Sequence, residues 1–398
     1  MSELRESGPE RRDAVVVGGG PAGLASAAEL RRLGLSVVVI ERGGVGASWR
    51  NRYDRLRLNT VRQASGLPGR RIPRAAGRWV RRDDFVRYLE SYARDLEVRT
   101  GTTADRIDRV GDRWQVATTT GTFLASVVVV ATGWENTPVL PSWPGIDGFP
   151  GPLIHSAAYR RPGVYRARRM LVAGGGVSGT EIAVDLAQGG AEKVWLSIRT
   201  PPTILPRERL GVPITAMGGL LDVLPTTLAD LSGRLTHVLA LGRARRLLPP
   251  PAHGVASDLL ARHRTPTVVD GLIECVRAGD VELVAAIDHV DADAVVLTDG
   301  RILRPDVIVA ATGYRRGLEP LVGHLGVLDP DGAPVLDGPT RARSAPGLHF
   351  VGYRLLFAGP LTAIRRDSRR MAEEVRTGPA TQVRIPDRSG DNAGAQSS

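Results

Sequence analysis

The stretch DAVVVGGGPAGLASAAELRRLGLSVVVIE, residues 13–41, decides the fold of this chain. It reads as an apolar strand, a glycine turn, a helix rich in alanine and leucine, and a second apolar strand. The same order of elements recurs at residues 170–199, MLVAGGGVSGTEIAVDLAQGGAEKVWLSIR. Fully apolar strands joined by helices are typical of a parallel sheet that is covered on both faces. The sequence therefore predicts two copies of one βαβ unit.

Each unit is followed, at a distance, by a hairpin and a strand that ends in ATG. The two segments are DRWQVATTTGTFLASVVVVATGW, residues 112–134, and DAVVLTDGRILRPDVIVAATGY, residues 293–314. Within them, TTGT and TDGR are hairpin signals. We therefore predict an α/β fold of two nested Rossmann-like dinucleotide-binding domains, each with a parallel sheet and a small antiparallel insertion.

The second domain is expected to interrupt the first. The predicted boundaries are 12–160 and 305–376 for the discontinuous first domain, 161–304 for the second domain with a helical insertion at about 201–265, and 1–11 and 377–398 for disordered tails. The C-terminal tail is rich in Gly, Ser, Asp, Asn and Ala, a composition that does not support a packed core.

The first unit carries a GxGxxG fingerprint at Gly18, Gly20 and Gly23, directly after a strand and at the start of a helix. The first glycine permits the tight turn, the second lets a pyrophosphate approach the backbone, and the third lets helix and strand pack closely. Glu41 ends the second strand, where a carboxylate accepts hydrogen bonds from a ribose diol. An N-terminal unit of this kind most often binds FAD, although the motif alone does not distinguish FAD from NAD. Further predicted cofactor-binding residues are Pro21, Ala22, Arg42, Thr132, Gly133 and Gly352.

The second unit repeats the fingerprint at Gly174, Gly176 and Gly179, but its second strand ends in Arg199 where the first ends in an acid. An arginine there can pair with the 2′-phosphate of NADPH, which an acid would repel. This favours NADPH over NADH, and the alternative is that Arg199 is one more surface arginine. Ser197 and Thr200 could add hydroxyl donors to this phosphate, and Ser178, Thr312, Gly313 and Tyr314 are further predicted cofactor-binding residues.

Two dinucleotide sites in one chain predict hydride transfer from NADPH to a flavin. Three acceptors of the electrons are considered: a disulfide, an external protein or quinone, and O2. Cys275 is the only cysteine in the sequence, so the chain has no internal redox disulfide. The external acceptor and O2 remain.

The segment between the two units, residues 149–159, fits the pattern FxGxxxHxxxY with Phe149, Gly151, His155 and Tyr159. Here the chain resembles the flavin-containing monooxygenases and the related Baeyer–Villiger enzymes over about residues 12–375. YDRLRLNTVRQASGLP (53–68), LPRERLG (205–211) and HRTPTVVDG (263–271) resemble the plant YUCCA-type branch most. RLLFAGPL (354–361) departs from the glycine-rich stretch that the family has before its last helix.

The resemblance implies that NADPH reduces FAD, that O2 forms a C4a-(hydro)peroxyflavin, and that one oxygen atom enters a small organic substrate. The reaction is an N- or S-oxygenation, a Baeyer–Villiger oxidation, or an oxidative decarboxylation of an α-keto acid. Asn59 and His155 are the candidate catalytic residues, and a purely structural role stays open for each. Trp49, Asn59, Thr60 and Gln63 are expected beside the cofactors. A flavin reductase that passes electrons to an external acceptor and a non-catalytic FAD- and NADP-binding regulator remain alternatives.

The formal net charge is +11, and Lys193 is the only lysine. Without a nucleic-acid motif, we interpret this charge as an arginine-rich surface that attracts anionic dinucleotides and substrates. Residues 1–12 are polar, and the apolar runs fall short of the ~20 residues that span a bilayer. We expect a cytoplasmic protein without a metal site, nucleic-acid partner or membrane span, and we leave a homodimer open.

Overall fold

The computed structural model describes residues 8–378 except 206, 210 and 249, so 1–7 and 379–398 of the expected tails lie outside the described residues. The strands are β1 (Glu10–Val17), β2 (Val37–Ile40), β3 (Glu97–Arg99), β4 (Ala104–Val110), β5 (Arg113–Thr118), β6 (Gly121–Val130), β7 (Thr137–Pro138), β8 (Leu153–His155), β9 (Arg169–Ala173), β10 (Lys193–Ser197), β11 (Ile204–Leu205), β12 (Glu208–Arg209), β13 (Val212–Pro213), β14 (Thr267–Val268), β15 (Val281–Val284), β16 (Ile287–Asp291), β17 (Ala294–Leu297), β18 (Ile302–Leu303), β19 (Val307–Ala310), β20 (Tyr314–Arg315), β21 (Leu336–Asp337), β22 (Arg341–Ala342) and β23 (Leu348–Phe350). The helices are α1 (Pro21–Arg32), α2 (Ala47–Arg50), α3 (Arg82–Ala93), α4 (Val177–Gln188), α5 (Gly218–Leu221), α6 (Thr226–Leu241), α7 (Val255–Arg262), α8 (Leu272–Ala278), α9 (Glu319–Val322) and α10 (Pro360–Thr377).

The first sheet has the strand order β21-β22-β23-β6-β1-β2-β3. Strands β23, β6, β1, β2 and β3 are parallel, and β21 and β22 are antiparallel. The first half of β6 also pairs antiparallel with β5, and β5 pairs with β4, which gives the hairpin expected at residues 112–134. β1 begins at Glu10, opposite Phe123, so residues 10 and 11 belong to a strand and not to the disordered tail that we expected.

The second sheet is parallel throughout, with the order β15-β10-β9-β19-β8. Its strands β8 and β19 come from residues that the sequence-based boundaries assign to the first domain. The structure corrects those boundaries, because backbone hydrogen bonds hold Leu153–His155 and Val307–Ala310 in the second sheet. The hairpin expected at residues 293–314 is β17–β18, which joins β16 in a small antiparallel sheet.

Alternate residues of the central strands pack on opposite faces of each sheet. Val16 packs against α1, α3 and α10, whereas its neighbour Val15 packs on the side of the β4–β6 hairpin. In the second sheet, Val172 faces α4 and α8, and Leu171 faces the sheet β16–β18. The parallel strands of both sheets are therefore covered on both faces, as the apolar central strands require.

The region expected to be a helical insertion contains α5, α6 and α7 with the short strands β11–β13. Within residues 8–378, no helix combines the length and the apolar character needed to cross a membrane. The described part of the chain also has no cluster of three or more His, Cys, Asp or Glu residues that could hold a metal ion.

Candidate active site

A cleft of about 1340 Å³ lies at the carboxyl ends of the central strands of both sheets. Its walls include Val17 at the end of β1 and Ala173 at the end of β9. Ligands of open α/β sheets bind at this edge. Pockets for one small ligand enclose roughly 300–1000 Å³, so this cleft has room for more than one ligand.

The glycine turn after β1 has two kinds of glycine. A Cβ at Gly18, whose φ is +116°, would overlap the carbonyl oxygen of Ala131, and a Cβ at Gly23 would overlap that of Gly18. A Cβ at Gly20 would meet no atom within 4 Å and would fill the space in front of α1, where Pro21 occupies the first turn. Because the helix N-terminus and this open space favour an anion, the turn fits the pyrophosphate of a dinucleotide.

Glu41 lines the cleft and already holds the turn in place. Its Oε2 accepts a hydrogen bond from the backbone N–H of Gly19 at 2.6 Å, and its Oε1 accepts one from Gly43 at 2.8 Å. Each carboxylate oxygen has a second acceptor position. The predicted contact with a ribose diol therefore stays a prediction that these bonds do not obstruct.

The turn after β9 repeats this geometry. A Cβ at Gly174, whose φ is +133°, would overlap Ala311, and a Cβ at Gly179 would overlap the Gly174 carbonyl oxygen. Gly176 begins α4 and, like Gly20, has no atom within 4 Å of its Cβ position. The second turn therefore offers the same open cradle for a pyrophosphate.

Arg199 and Thr200 line the cleft just beyond β10. Arg199 is exposed and forms no ion pair with any described residue, so its guanidinium is free to meet an anion. Ser197 differs from the expectation, because its hydroxyl donates to the carbonyl oxygen of Ala285 at 2.8 Å. A hydroxyl has one hydrogen to donate, so Ser197 offers no donor to a phosphate in this arrangement.

Most of the remaining predicted residues meet at the cleft. Its walls include Gly18, Gly20, Pro21, Ala22, Glu41, Arg42, Trp49, Asn59, Thr60, Thr132, Gly133, Gly174, Gly176, Ser178, Ser197, Arg199, Thr200, Thr312, Gly313, Tyr314 and Gly352. Gly23 and Gly179 lie behind this surface, where close helix packing requires them. Gln63 is exposed and outside the walls, because the loop that carries it turns its side chain to solvent.

His155 lies at the end of β8, behind the cleft wall, with both ring nitrogens engaged by the backbone. Nδ1 accepts a hydrogen bond from Ala157 N–H at 3.1 Å, and Nε2 lies 3.0 Å from the carbonyl oxygen of Gly313, to which it donates. The ring also packs edge-on against Tyr314. Burial lowers the pKa of His155, and the bond to Gly313 opposes this effect. These contacts favour a hinge role over a direct chemical role.

Asn59 lies on the cleft wall at the end of a buried chain of polar groups. Its Oδ1 accepts a hydrogen bond from Arg207 Nη2 at 3.2 Å, and the same Nη2 donates to Glu181 Oε1 at 3.1 Å. Tyr53 donates its hydroxyl hydrogen to Glu181 Oε2 at 2.6 Å. Tyr53, Glu181 and Arg207 are 3%, 5% and 6% exposed. We call these four residues the Arg207 network.

The charges of the network are matched in spite of their burial. Arg207 faces Glu181 at 3.1 Å and Asp270 at 3.5 Å, and its guanidinium lies over the ring of Trp79. Burial raises the pKa of the Glu181 carboxyl, whereas Tyr53 and Arg207 favour its charged form. A buried carboxylate and guanidinium are tolerated only when paired in this way.

Sequence reasoning did not single out Tyr53, Arg57, Glu181 or Arg207. Glu181 gave a usable signal, because it is a charged residue in the apolar stretch of α4 that packs on the sheet. Tyr53 and Arg207 lie in stretches that resemble the family, but the resemblance alone assigns no role to either residue.

Known proteins with similar sequences include a dinucleotide-binding oxidoreductase family and several flavin monooxygenases. Residues 15–205 match the family described as pyridine nucleotide-disulphide oxidoreductase. The probable indole-3-pyruvate monooxygenase YUCCA3 of Arabidopsis thaliana is 30% identical over 369 residues, which cover 88% of this chain and 84% of that protein. The indole-3-pyruvate monooxygenase YUCCA1 of Oryza sativa subsp. japonica is 33% identical over 359 residues, or 86% of this chain and 88% of that protein.

The chain belongs to the class B flavin monooxygenases, in their YUCCA-like branch. A solved variant of the flavin monooxygenase from Stenotrophomonas maltophilia is 25% identical, with a TM-score of 0.71 over 92% of this chain and 98% of that one. Cyclohexanone monooxygenase in an open form is 21% identical and shares the fold, with a TM-score of 0.68 over 93% and 89% of the two chains.

This flavin monooxygenase is therefore an FAD-dependent enzyme whose cofactors are FAD and NADPH. Its co-substrates are O2 and a small molecule. Cys275, its single cysteine, is buried and free. The match to a disulphide oxidoreductase family consequently concerns the dinucleotide-binding segments and not a redox disulfide.

Proposed function

We propose that this flavin monooxygenase carries out the oxidative decarboxylation of an α-keto acid with an apolar side chain. One α-keto acid, O2, NADPH and a proton would give the carboxylic acid shorter by one carbon, CO2, NADP⁺ and water. The relatives named as indole-3-pyruvate monooxygenases support this substrate class, because indole-3-pyruvate is an α-keto acid. The observation in the structure that carries the proposal is Arg57.

Arg57 is a guanidinium in the cleft wall without a carboxylate partner among the described residues. Its one side-chain hydrogen bond is a long one, 3.4 Å, to the carbonyl oxygen of Trp79. Arg57 and Asn59 both line the cleft while Leu58 between them is buried, as in an extended segment. Burial lowers the pKa of Arg57, the charges of Arg81 and Arg207 add to this effect, and the charge of Asp270 opposes it. An anionic group on the substrate would give the Arg57 guanidinium the direct carboxylate partner that it lacks.

Apolar residues near Arg57 support the other part of the proposal, that the side chain of the α-keto acid is apolar. Leu56, Leu355, Leu356 and Phe357 line the cleft together with Arg57 and Asn59. Leu355–Phe357 belong to the segment in which the sequence departs from its family. We therefore assign the substrate carboxylate to Arg57 and the substrate side chain to this apolar surface, which excludes water from the reacting group.

The cofactor residues are part of the proposal as well. FAD would lie on the turn Gly18–Gly23 with Glu41 at its ribose, and NADPH on the turn Gly174–Gly179 with its 2′-phosphate at Arg199. When bound, the two cofactors supply the reduction of O2. The solved Stenotrophomonas variant has glutamine and histidine at adjacent positions replaced by arginine and threonine, the pair that this chain has at 199–200.

The nested arrangement of two Rossmann-like domains is the architecture we propose for these two sites. Its boundaries would be those given by the sequence, shifted so that β8 and β19 belong to the NADPH-binding domain. Homodimerisation and a cytoplasmic location stay predictions.

The test is a substrate panel that separates charge from shape. An aryl-substituted pyruvate and the methyl ketone with the same aryl group are compared by NADPH consumption and by mass spectrometry of the products. We expect the keto acid to give CO2 and the shortened acid in a 1:1 ratio to NADPH. Arg57→Met should raise KM for the keto acid by about ten- to a hundred-fold, the value of one charge-assisted bond. It should leave KM for NADPH unchanged.

Two results would contradict the proposal. Oxygenation of neutral amines, sulfides or ketones in preference to the keto acid would reassign the substrate class. NADPH oxidation with an added electron acceptor, and without any oxygenated product across the panel, would favour the reductase alternative over substrate oxygenation.

A further inference from the structure

The contact between Arg207 and Asn59 decides how the Asn59 amide is oriented. The oxygen and nitrogen of an amide side chain look nearly alike, so their assignment usually depends on their neighbours. A guanidinium has five N–H donors and no acceptor. The atom of Asn59 that lies 3.2 Å from Arg207 Nη2 must therefore be its oxygen. The NH2 group then points away from Arg207 and keeps both of its hydrogens.

Arg207 is held by more than this contact. Glu181 and Asp270 neutralise it from two sides, and its backbone N–H donates to Asp270 Oδ1 at 3.3 Å. Glu181 lies in α4, the helix that begins at the second glycine turn, and its other oxygen is held by Tyr53. Asn59 is also fixed through its backbone oxygen, which accepts a hydrogen bond from Thr215. The amide is thus anchored to the helix that we assign to NADPH.

We propose that Arg207 is a positioning residue that holds the Asn59 amide as a hydrogen-bond donor facing the cleft. Arg207 does not line the cleft itself, so it acts through Asn59. Its effect on turnover rests on the proposed function, whereas the contact and the amide orientation do not. Two experiments on the FAD-loaded full chain separate these two parts.

The first experiment tests the contact by stability alone. Asn59→Asp places a carboxylate against the Arg207 guanidinium, so the melting temperature should stay the same or rise. In an Arg207→Met background the same change leaves that carboxylate without its partner, and the melting temperature should fall. An equal shift of melting temperature in both backgrounds would show that Asn59 and Arg207 are not coupled, and it would overturn the proposal.

The second experiment tests the positioning role by measuring how many of the NADPH electrons end in hydrogen peroxide and how many in oxygenated product. Arg207→Met should raise the share of NADPH electrons recovered as hydrogen peroxide by about ten-fold, the scale of one misplaced donor. The rate at which NADPH reduces FAD without oxygen should stay the same. In an Asn59→Ala background, Arg207→Met should add nothing further to peroxide release. Additive effects of the two changes would mean that Arg207 does not act through Asn59.

Two tyrosines that donate to carboxylates of α4 provide a pair of variants in case Arg207→Met fails to fold. Tyr53→Phe removes the hydroxyl bonded to Glu181, and Tyr159→Phe removes the one bonded to Asp185 at 2.8 Å, one helical turn away. Both variants should lose some stability, but only Tyr53→Phe should raise peroxide release. Arg207→Lys keeps the charge but not the fork of donors, and it should resemble Arg207→Met in peroxide release. Equal peroxide release by the two tyrosine variants would overturn the positioning role.

Discussion

Gly20 and Gly176 differ from the other glycines of their turns because a side chain at either position would meet no protein atom. Their backbones have φ of −85° and −74°, which any residue can adopt. The fold therefore has no need of glycine at these two positions, whereas Gly18 and Gly174 with positive φ do require it. Glycine at these two positions instead leaves open space in front of α1 and α4, which the proposed pyrophosphate groups would occupy.

Gly20→Val is expected to fold and to lose FAD, because its side chain would occupy the space in front of α1. Gly23→Val is the matched control, since its side chain would overlap the Gly18 carbonyl oxygen and disrupt the packing of α1 on β1. Flavin absorbance per chain and thermal unfolding distinguish the two variants. A yellow Gly20→Val protein with a full complement of FAD would contradict the assignment of the first turn.

Arg199→Ala is expected to weaken the binding of NADPH and to leave the binding of NADH nearly unchanged. Arg199 is free of ion pairs with described residues and lies on the cleft wall with Thr200. Losing one charge-assisted bond to the 2′-phosphate should raise KM for NADPH by about ten- to a hundred-fold. Steady-state kinetics with both cofactors measure the effect, and Arg264→Ala at the same cleft provides a comparison. An equal rise in KM for NADPH and for NADH would show that Arg199 does not bind the 2′-phosphate.

Local spacing predicted the glycines of the two turns, because the GxGxxG fingerprint is a short pattern between one strand and one helix, and Gly23 and Gly179 each contact the first glycine of their own turn. The approach of Gly18 to Ala131 and of Gly174 to Ala311 joins distant residues and was not part of that prediction. The contact of Asn59 with Arg207 joins residues 148 positions apart. No periodicity reports such a contact, so the sequence pointed to Asn59 by family resemblance and left out the residue that orients it.

At the scale of elements, β8 shows how the segment FxGxxxHxxxY is used. Its residues 153–155 form the edge strand of the second sheet, pairing with β19. Gly151 is required there because a Cβ would overlap the carbonyl oxygen of Asp306. The sequence predicted that this segment connects the two halves, but which sheet it joins depends on a partner strand about 150 residues later. The predicted domain boundary failed at this point for that reason.

The pH dependence of stability should report the state of His155, which joins β8 to the loop after β19. Burial lowers its folded pKa below the usual value near 6.5. Protonation would place a hydrogen on Nδ1 and break the bond from Ala157. The stability from neutral His155 is thus complete above about pH 6.5 and is lost as pH falls through the lower folded pKa.

His155→Gln can neither gain this proton nor lose stability through it. We expect the variant to be less stable at pH 8 but to lose less melting temperature than the parent between about pH 7 and pH 5. Thermal unfolding across this range is the measurement, with His289→Gln on β16, a partly exposed histidine remote from β8 in the sequence, as a control that should keep a slope close to the parent's. Parallel curves for the parent and His155→Gln would remove His155 from the acid sensitivity.

At the scale of the whole molecule, several arginines of the cleft wall have no acidic partner among the described residues. The chain has a formal net charge of +11. Arg57, Arg199 and Arg264 line the cleft without an ion pair to a described residue, whereas two acids of the cleft wall, Glu41 and Glu181, are held by hydrogen bonds. The attraction of anionic dinucleotides therefore stays a prediction that rests on these three arginines, whose positions composition alone could not show.

Salt should weaken the entry of NADPH more than that of NADH, because NADPH carries the additional phosphate charge. Raising the salt concentration from about 0.1 M to about 1 M shortens the Debye length from about 10 Å to about 3 Å. KM for NADPH should then rise by about three- to ten-fold, and KM for NADH by less, with kcat nearly constant for both. In Arg199→Ala the two cofactors should show the same salt dependence, since the cation that distinguishes them is gone. A salt effect of equal size on both cofactors in the parent enzyme would mean that the net charge of the molecule, and not Arg199 at the cleft, attracts the nucleotide.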